Sequence, residues 1–514
     1  MKIAFASSEV VPFSQTGGLA DVAGALPVEL AQLGHKVSVY TPYYRCVKKV
    51  DPKAKAVAQG VAPVGGETIP WTLYASSLHL GRSAEHSPHN PVAAAGGGRG
   101  RGRGHLDVYL IGCDAFFDRE GLYGTPQADY ADNCRRFVFF CQASLAAAKA
   151  RGEAPDVWHC HDWQAALIPV YLRTTLASDP FHAAAATVFS IHNLSYRGLF
   201  WHWDWPLLNL PWQHYNWREL EFNGRMSLLK GALVHADLLA TVSPTYAREI
   251  RTPVFGYGLE GVLTERKDVL FGIANGIDAR AWNPRTDAFL PATYGPEDLA
   301  GKGVCKEALR QKLNLPQSSA VVVGMIGRLV EQKGFDLVAQ CVEELLRRNI
   351  QLVVLGAGRD DFQRLLQRTQ AAHPDKIAAV FAFDNALAHL IEAGSDIFIM
   401  PSRYEPCGLN QLYSLAYGTP PVVHCVGGLA DTVTDTTPET LADGSTTGFL
   451  FHEHTAKALL GSLDRALKIL FEQPEVWRKI QVKGMNQDWS WRRSALKYQE
   501  AYECAIRLRA LRRM

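Results

Sequence analysis

The sequence predicts an α/β protein with two doubly wound domains, each a largely parallel sheet covered by helices. Short apolar runs alternate with helical patterns along the 514 residues. These runs are continuously apolar, which is typical of strands buried on both faces of a parallel sheet. A chain of this length exceeds what one hydrophobic core usually holds. The pattern that opens the chain also recurs near residue 320, which indicates a second domain of the same kind.

The recurring pattern is a strand, a loop, a glycine and a helix. It appears as "KIAFASSEVVPFSQTGGLADV" at 2–22 and as "VVVGMIGRLVEQKGFDLV" at 321–338. Each segment is expected to be the first βα unit of a doubly wound domain. Glycine and proline break the pattern in "IANGIDARAWNP" (273–284), so the predicted domains are 1–278 and 279–488. A helical pattern fills the remaining 489–514. Sheets of this kind bind ligands at the carboxyl ends of their strands, so we expect a cleft between two facing domains.

Twelve apolar runs are the predicted strands. In order they are "KIAFA", "HKVSVYT", "LDVYLIG", "PDVWHCH", "ATVFSIHN", "LLATVS", "DVLFGIANG", "AVVVGMIG", "IQLVVLGAG", "KIAAVFAF", "SDIFIMPS" and "PPVVHCVGG". The first helix carries leucines at helical spacing and is expected to end at Gly34.

Composition narrows the function classes. The net charge is +2, which gives no general attraction to nucleic acid or acidic membranes. The ten cysteines include no CxxC pair, which is typical of reduced thiols in a cytoplasmic protein. We see no signal peptide and no apolar stretch long enough to span a membrane. The segment 87–105, "SPHNPVAAAGGGRGRGRGH", lacks the aromatic residues of an RNA-binding RGG segment, so we interpret it as a flexible insertion in a surface loop.

The usual nucleotide motifs are missing. A dinucleotide site needs GxGxxG at the first turn, where this chain has "SQTGGL". "LGAGRDDF" offers only Gly356 and Gly358, and no P-loop GxxxxGK[ST] is present. Both observations argue against NAD and ATP chemistry.

Polar residues follow two predicted strands of the first domain. "HCHDWQA" places His159, His161, Asp162 and Trp163 after one strand, and "SIHNLSYRG" places His192 and its neighbour Asn193 after the next. The His-x-His pair suggests zinc, but it lacks a third ligand nearby, so we favour a site without metal. A glycosidase would need two carboxylates flanking one bond, and the separation of Asp162 and Glu405 cannot be judged from sequence.

The second domain offers cations and a carboxylate. Arg328 and Lys333 lie between a strand and a helix N-terminus, an arrangement that suits a diphosphate without a metal, although plain surface charges remain the alternative. In "PSRYEPCGLNQLYSLAYGTPPV", Glu405 is placed to accept hydrogen bonds from sugar hydroxyls or to cap the following helix. The backbone N–H groups of Cys407, Gly408 and Leu409 are expected to be unpaired at that helix start.

Several motifs together resemble bacterial glycogen synthases and plant starch synthases. They run in order from residue 1 to about 450: "SSEVVPFSQTGGLADVAGALP", "HCHDWQA", "SIHNLSYRGLF", "EFNGRMSLLKGAL", "ATVSPTYAREI", "IANGIDARAWNP", "GRLVEQKGFDL" and "PSRYEPCGLNQLYSLAYGTPPVV…GGLADTV". The resemblance implies the GT-B fold, with a C-terminal helix that crosses back onto the first domain. It also implies transfer of glucose from ADP-glucose to the non-reducing 4-OH of an α-1,4-glucan (glycogen or starch), with retention at the anomeric carbon and without metal or other cofactor.

The resemblance also implies roles for particular residues. Arg328 and Lys333 would bind the donor diphosphate, and Glu405 would hold the donor glucose together with Cys407 and Gly408. The full catalytic set would be His192, Arg328, Lys333 and Glu405. The substrate-binding set would be Gln15, Gly17, Gly18, Asp162, Trp163, Asn193, Gln332, Phe383, Cys407, Gly408, Leu409 and Asn410, with Phe383 packing on the adenine.

Two positions depart from the family pattern. Gln15 stands where the family usually has the lysine of "KTGGL", so a phosphate-binding charge is missing. A weaker ADP-glucose enzyme, a preference for UDP-glucose and a non-catalytic binder all remain open. Another retaining GT-B transferase, such as a sucrose-forming one, is a further alternative. Asn410 replaces a common threonine and is expected to matter little, because asparagine also forms hydrogen bonds.

Overall fold

A computed structural model describes residues 1–76, 104–125 and 127–513. Most of the predicted flexible insertion, residues 87–103, lies outside these ranges. The chain divides into two compact units. Unit 1 comprises Met1–Val242, Ala247–Gly276 and Trp491–Met514, and unit 2 comprises Ser243–Tyr246 and Ile277–Ser490. The chain passes from unit 1 to unit 2 after Gly276 and returns after Ser490. Each point lies two residues from a predicted domain boundary, after 278 and after 488.

Unit 1 is built on a nine-stranded sheet in the order β12-β11-β7-β6-β1-β2-β5-β4-β3. Its strands are β1 (Lys2–Ala6), β2 (Lys36–Pro42), β3 (Lys55–Val64), β4 (Glu67–Ala75), β5 (His105–Gly112), β6 (Val157–His161), β7 (Ala186–Ile191), β11 (Leu238–Thr241) and β12 (Leu270–Gly272). All neighbours pair in parallel except the hairpin β3–β4 and its contact with β5. A separate antiparallel sheet contains β8 (Leu199–Trp201), β9 (Glu221–Phe222) and β10 (Arg225–Ser227).

Unit 2 is built on a six-stranded parallel sheet in the order β15-β14-β13-β16-β17-β18. Its strands are β13 (Val321–Ile326), β14 (Ile350–Leu355), β15 (Ile377–Val380), β16 (Ile397–Met400), β17 (Pro421–His424) and β18 (Phe449–Phe451). Numbered within the unit, this is the Rossmann order 3-2-1-4-5-6. The seven parallel strands of the first sheet follow the same order with β12 added as a seventh strand, and β3 and β4 precede the third of them in sequence. The predicted doubly wound class is confirmed in both units.

Helices connect the strands on both sheets. In unit 1 they are α1 (Gly18–Gln32), α2 (Arg45–Val50), α3 (Asp114–Phe117), α4 (Asn133–Ala150), α5 (Leu167–Arg173), α6 (Leu228–His235), α7 (Pro244–Glu249, beginning in unit 2), α8 (Glu260–Glu265) and the C-terminal α18 (Trp491–Arg513). In unit 2 they are α9 (Ala300–Lys312), α10 (Phe335–Leu346), α11 (Asp360–Ala372), α12 (Asn385–Gly394), α13 (Asn410–Ala416), α14 (Gly427–Thr432), α15 (Pro438–Ala442), α16 (Ala456–Glu472) and α17 (Pro474–Met485). No helix in the described ranges is both long and apolar enough to cross a lipid bilayer.

The C-terminal helix packs within unit 1. Tyr498 and Tyr502 on α18 are fully buried, and the Tyr502 hydroxyl lies 2.9 Å from Nδ1 of His159 on β6. The Ser494 hydroxyl donates to the carbonyl of Ala274 at 2.7 Å. Burial of these rings explains why the last helix belongs to the first unit although it follows the second in sequence.

Candidate functional site

A glycine-containing loop follows β1 in unit 1, and the carboxylate of Glu9 holds it. Glu9 Oε2 accepts hydrogen bonds from the backbone N–H groups of Thr16 at 2.5 Å and Gly17 at 3.2 Å. Its Oε1 accepts from the Thr16 hydroxyl at 2.6 Å and the Tyr123 hydroxyl at 2.7 Å. Glu9 is buried, so these four donors replace the water that its charge would otherwise require. Glu9 was not among the predicted site residues, although an acidic residue just after an apolar strand is a usable signal.

The loop leaves open space above Gly17. A Cβ atom added there would meet no protein atom within 4 Å, and the φ of −159° is open to any residue. Packing of the protein therefore does not require this glycine, whereas close approach of a ligand to the backbone would. Gly18 begins α1 directly after it.

Gln15 lies beside a carboxylate rather than alone. Its Nε2 is 3.3 and 3.4 Å from the two carboxyl oxygens of Asp21 on α1. Burial and the nearby charge of Glu9 raise the pKa of Asp21 to about 7, and the hydrogen bond from Gln15 partly opposes that rise. A lysine at position 15 would therefore lie next to the Asp21 carboxyl group. The effect of the charge that is absent here would depend on that carboxyl group.

Asp162 follows β6 in a strained backbone conformation. Its φ of 54° and ψ of −176° lie in a region that residues other than glycine rarely occupy, at a cost of about 1–3 kcal/mol. Its carboxylate accepts a hydrogen bond from the His192 N–H at 2.8 Å, which ties the end of β6 to the end of β7. Burial raises the pKa of Asp162 to about 7, although the N–H groups of His192 and Asn193 lower it. A buried, strained carboxyl group at a strand end is typical of a functional position.

Asp162→Asn is expected to stabilise the protein above pH 7 and to have little effect near pH 4. The folded-state pKa of about 7 exceeds the ordinary aspartate pKa of 3.8, so the folded state binds more protons between these pH values. Its stability therefore falls as pH rises through that window and then levels off. Three pKa units set a ceiling of about 4 kcal/mol, and we expect about 1–3 kcal/mol. Urea unfolding at pH 4.5 and pH 8 measures the difference, with the exposed Asp375→Asn as control. Equal stabilisation at both pH values would contradict this account.

The histidines divide into a structural one and a pair facing the strand ends. His159 is fully buried, with Nδ1 on Tyr502 and Nε2 2.7 Å from the Ser190 hydroxyl. His161 Nδ1 lies 2.9 Å from His192 Nε2, so one of these atoms carries the shared proton. Burial lowers the pKa of His192 to about 3, which leaves it neutral near pH 7. In the described part of the chain, neither His159 nor His161 belongs to a group of three metal-ligating side chains.

Trp163 and Asn193 have clear packing roles. The Trp163 ring centroid lies 4.9 Å from that of Phe137 and 5.6 Å from that of Phe200. A Cβ at Gly198, which has a φ of +57°, would come within 2.8 Å of the tryptophan Cβ. The Asn193 side-chain oxygen accepts from the N–H and hydroxyl of Ser195, at 3.0 and 2.7 Å. These contacts account for both residues without a ligand, and their contact with sugar stays a prediction.

Unit 2 brings together two residues that the sequence analysis proposed separately. Lys333 Nζ is 2.6 Å from Glu405 Oε2, which also accepts from the Ser402 hydroxyl at 3.1 Å. β13 and β16 are neighbours in the sheet, so the loops that carry these residues leave the same edge. Glu405 is buried, whereas the Lys333 side chain is 23% exposed and remains accessible to a ligand.

Arg328 is exposed in the loop after β13. Its Nη2 lies 3.3 Å from Gln332 Oε1, and Gln332 accepts through its carbonyl from the Arg403 N–H at 2.9 Å. Gly334 closes this loop with a φ of +78°, and an added Cβ would lie 1.9 Å from the Pro401 carbonyl oxygen. Glycine is therefore required for the loop after β13 to pass the end of β16.

A second Gly-Gly pair supports the Glu405 loop. The sequence "GGLAD" of residues 17–21 recurs at 427–431, where it begins α14. The Gly428 N–H donates to the Glu405 carbonyl at 3.0 Å. Added Cβ atoms at Gly427 and Gly428 would lie 1.9 Å from the carbonyl oxygen of Glu405 and 2.0 Å from that of Cys407. This pair serves packing, in contrast to Gly17.

The side-chain amides of Asn410 and Gln411 hold the loop of residues 407–410 in place. Gly408 has a φ of +73°, and Gln411 Nε2 donates at 3.0 Å to the carbonyls of both Cys407 and Gly408. Asn410 donates from Nδ2 to the Ile326 carbonyl at 2.8 Å, which fastens α13 to the end of β13. Cys407 is buried and Leu409 precedes the first turn of α13. These contacts position the backbone N–H groups that the sequence analysis singled out.

Phe383 is far more exposed than the other large apolar side chains named at the site. It follows β15 and is 95% exposed. Apolar burial therefore does not explain a phenyl ring at this position, whereas stacking on a planar ligand would.

Two units with Rossmann strand order, each carrying polar groups at the carboxyl ends of its central strands, define a two-domain glycosyltransferase of the GT-B class. Residues 2–265 match the family model described as starch synthase catalytic domain, and residues 306–481 match that of glycosyl transferases group 1. The chain is 45% identical to glycogen synthases of Koribacter versatilis and Syntrophotalea carbinolica, over 99% of each chain. It belongs to the glycogen synthase and starch synthase family, so the predicted resemblance is confirmed.

A solved structure gives the same assignment, and a second one shows the same fold. The catalytic domain of starch synthase IV from Arabidopsis thaliana, bound to ADP and acarbose, matches with a TM-score of 0.86 and 31% identity, over 98% of this chain and 99% of that one. A sucrose-phosphate synthase from Thermosynechococcus elongatus matches with a TM-score of 0.57 and 20% identity, over 98% of both chains. The second match shows the fold alone.

Proposed function

We propose that this enzyme transfers glucose from ADP-glucose to the non-reducing 4-OH of an α-1,4-glucan, with retention and without a metal. The observation that carries the proposal is the Lys333–Glu405 pair beside exposed Arg328, at the ends of two adjacent strands. Two cations suit a diphosphate, and the Glu405 carboxylate, in the loop that precedes α13, suits a sugar hydroxyl. The similar starch synthase IV domain is bound to ADP and acarbose, which supports a nucleotide-containing donor for this enzyme.

The proposed chemistry follows from where charge develops. Breaking the bond between glucose and phosphate places positive charge on the sugar ring and negative charge on the departing ADP. Arg328 and Lys333 would stabilise that departing charge more than the bound donor, and such differential binding accelerates the step. Neutral His192 would offer a hydrogen bond to a sugar without repelling the developing positive charge. Exposed Phe383 would stack on the adenine.

Donor choice is the sharpest test of this function. Purified enzyme is incubated with glycogen and labelled ADP-glucose or UDP-glucose, and label in ethanol-insoluble polymer is counted. We expect incorporation from ADP-glucose to exceed that from UDP-glucose. Faster incorporation from UDP-glucose would overturn the donor assignment. No incorporation from either donor at high enzyme concentration would favour a non-catalytic binder, the alternative that Gln15 suggests.

Gln15→Lys is expected to raise transfer at low ADP-glucose concentration by about fivefold, because an exposed charge near a phosphate contributes about 1 kcal/mol. The gain should appear mainly as a lower KM, because the added cation would help to bind the donor. Asp21 beside position 15 would offset part of the new charge. Initial rates over a range of ADP-glucose concentrations measure it. Gln127→Lys adds the same charge at an exposed position elsewhere in unit 1 and serves as control. Unchanged kinetics would show that the missing charge does not limit the reaction.

We also place the reaction in the cytoplasm. The ten cysteines include no disulfide among the described residues, and reduced thiols are typical of that compartment.

A further inference from the structure

Two histidines and one glutamate converge on the surface of unit 1, away from the strand ends described above. His214 Nδ1 lies 2.7 Å from Glu219 Oε2, and His235 Nε2 lies 2.9 Å from the same oxygen. The ligand atoms of all three side chains lie within 4.8 Å of one another. The two imidazole rings are 6.1 Å apart and inclined by 72°, so they approach the carboxylate from different sides.

We propose that His214, Glu219 and His235 form a binding site for a divalent transition-metal ion, with Zn²⁺ the best fit. Two imidazole nitrogens and one carboxylate oxygen are ligands that Zn²⁺ prefers, at about 2.0–2.2 Å each. Tetrahedral coordination at those lengths separates ligand atoms by about 3.3 Å. The two nitrogen–oxygen distances would therefore lengthen by about half an ångström, which side-chain rotation supplies.

Neighbouring residues hold the proposed ligands in place through hydrogen bonds and packing, as the partners of metal ligands commonly do. Glu219 Oε1 accepts from the Asn216 side-chain amide at 3.1 Å, and that amide also donates to the Gln213 carbonyl at 2.7 Å. His235 ends α6, whose glycine Gly231 packs against Leu220 and Val170. The carboxylate and one imidazole thus stand on a rigid base.

The exposure of the three side chains and the proton balance of the two imidazoles are both compatible with ion binding. The three side chains are 14%, 23% and 13% exposed, so an ion can enter and keep a water as its fourth ligand. Binding replaces two N–H···O hydrogen bonds by two N–metal bonds. The proton that faced Glu219 must leave each ligating nitrogen. A neutral ring takes it up on its other nitrogen, Nε2 of His214 or Nδ1 of His235, so metal binding by the neutral rings releases no proton.

The ion would tie the segment 212–219 to α6. This segment carries two indoles that are unusually accessible, Trp212 at 60% and Trp217 at 71% exposure. Cross-linking the segment would fix both rings in place on the surface. The role is structural and independent of the glucosyl transfer proposed above, so failure of either proposal leaves the other standing.

The test compares ion binding by the full chain with that of single-ligand variants. Metal-free enzyme is titrated with Zn²⁺ and with Co²⁺ by equilibrium dialysis, and the visible Co²⁺ spectrum reports the ligands. We expect the unchanged chain to bind one equivalent more than His214→Gln or Glu219→Gln, without the absorption bands of thiolate ligands. Free Zn²⁺ about 100-fold above Kd should raise Tm by about 5 °C, and the variants should lose this rise.

His373→Gln is the matched control, because His373 Nε2 lies 3.1 Å from Glu343 Oε2 in an exposed pair without a third ligand. It should retain the extra equivalent and the Tm rise. Hydrogen exchange of residues 212–221 should slow with Zn²⁺ in the unchanged chain alone. If Glu219→Gln fails to fold, His214→Gln still tests the proposal, because His214 lies in the short turn Trp212–His214. Equal Zn²⁺ stoichiometry and equal Tm rise in the unchanged chain and His214→Gln would overturn the proposal.

Discussion

Replacing Lys333 with alanine is expected to slow glucose transfer by about 30- to 1000-fold, since loss of one preorganised charge costs about 2–4 kcal/mol of barrier. The ammonium group lies at the end of β13 and is paired to Glu405 at 2.6 Å, so its position is set before a donor arrives. Rates of incorporation from ADP-glucose at saturating glycogen measure the effect as kcat and KM.

Two further variants check the stability of the loop and the specificity of the effect. Lys333→Ala also leaves the buried Glu405 carboxylate without its cation, which destabilises the loop. The double variant Lys333→Ala/Glu405→Gln removes that unpaired charge, so it should recover stability without recovering transfer. Arg364→Ala removes an exposed arginine on α11 and should leave transfer unchanged. Polymer synthesis at the original speed in Lys333→Ala would contradict the account.

Glu9→Ala is expected to lower kcat/KM by about 10- to 100-fold. The carboxylate accepts four hydrogen bonds from Thr16, Gly17 and Tyr123, and each bond to a charged group contributes about 1.5–3 kcal/mol. Without it, the loop that exposes the Gly17 backbone to a ligand would lose its fixed shape. Because Glu9 acts through the loop, it is a positioning residue.

The conservative variant distinguishes positioning from general destabilisation. In Glu9→Gln the hydroxyls of Thr16 and Tyr123 can accept from the new amide, so most of the loop should persist and the loss should be smaller. Glu153→Gln, which removes a surface ion pair with Lys36 of 2.7 Å, should have no effect on transfer. Equal activity in Glu9→Ala and the Glu153→Gln control would refute the positioning role.

Continuous apolar runs predicted the strands of the parallel sheets, the edge strands β12 and β15 included, but missed the hairpin and several short strands. All twelve apolar runs contain a strand, because burial on both faces leaves an unbroken apolar signal. The hairpin β3–β4 was missed, since it lies at one end of its sheet and many of its side chains are exposed. The short strands β8, β9, β10 and β18 were missed as well, because two or three residues carry no period.

The candidate site residues could be predicted where the charge of a side chain is evident from its residue type. Cations after β13 and a carboxylate after β16 were candidates from their position, the family resemblance implied their roles, and the structure joins Lys333 to Glu405. Their direct contact could not be predicted, because 72 residues separate them and only the sheet order makes them neighbours. Glu9 and Asp21 escaped notice because their importance lies in burial and shared hydrogen bonds. The packing role of Trp163 depends on Phe200, which is likewise distant in sequence.

Binding of ADP alone tests the central claim most directly, because it isolates the grip on the diphosphate from every later step. Calorimetric titration gives Kd for the unchanged enzyme, Arg328→Ala, Lys333→Ala and the Arg364→Ala control. The account predicts a Kd raised about tenfold or more in the first two variants and unchanged in the control. Equal Kd values in all four proteins would contradict it.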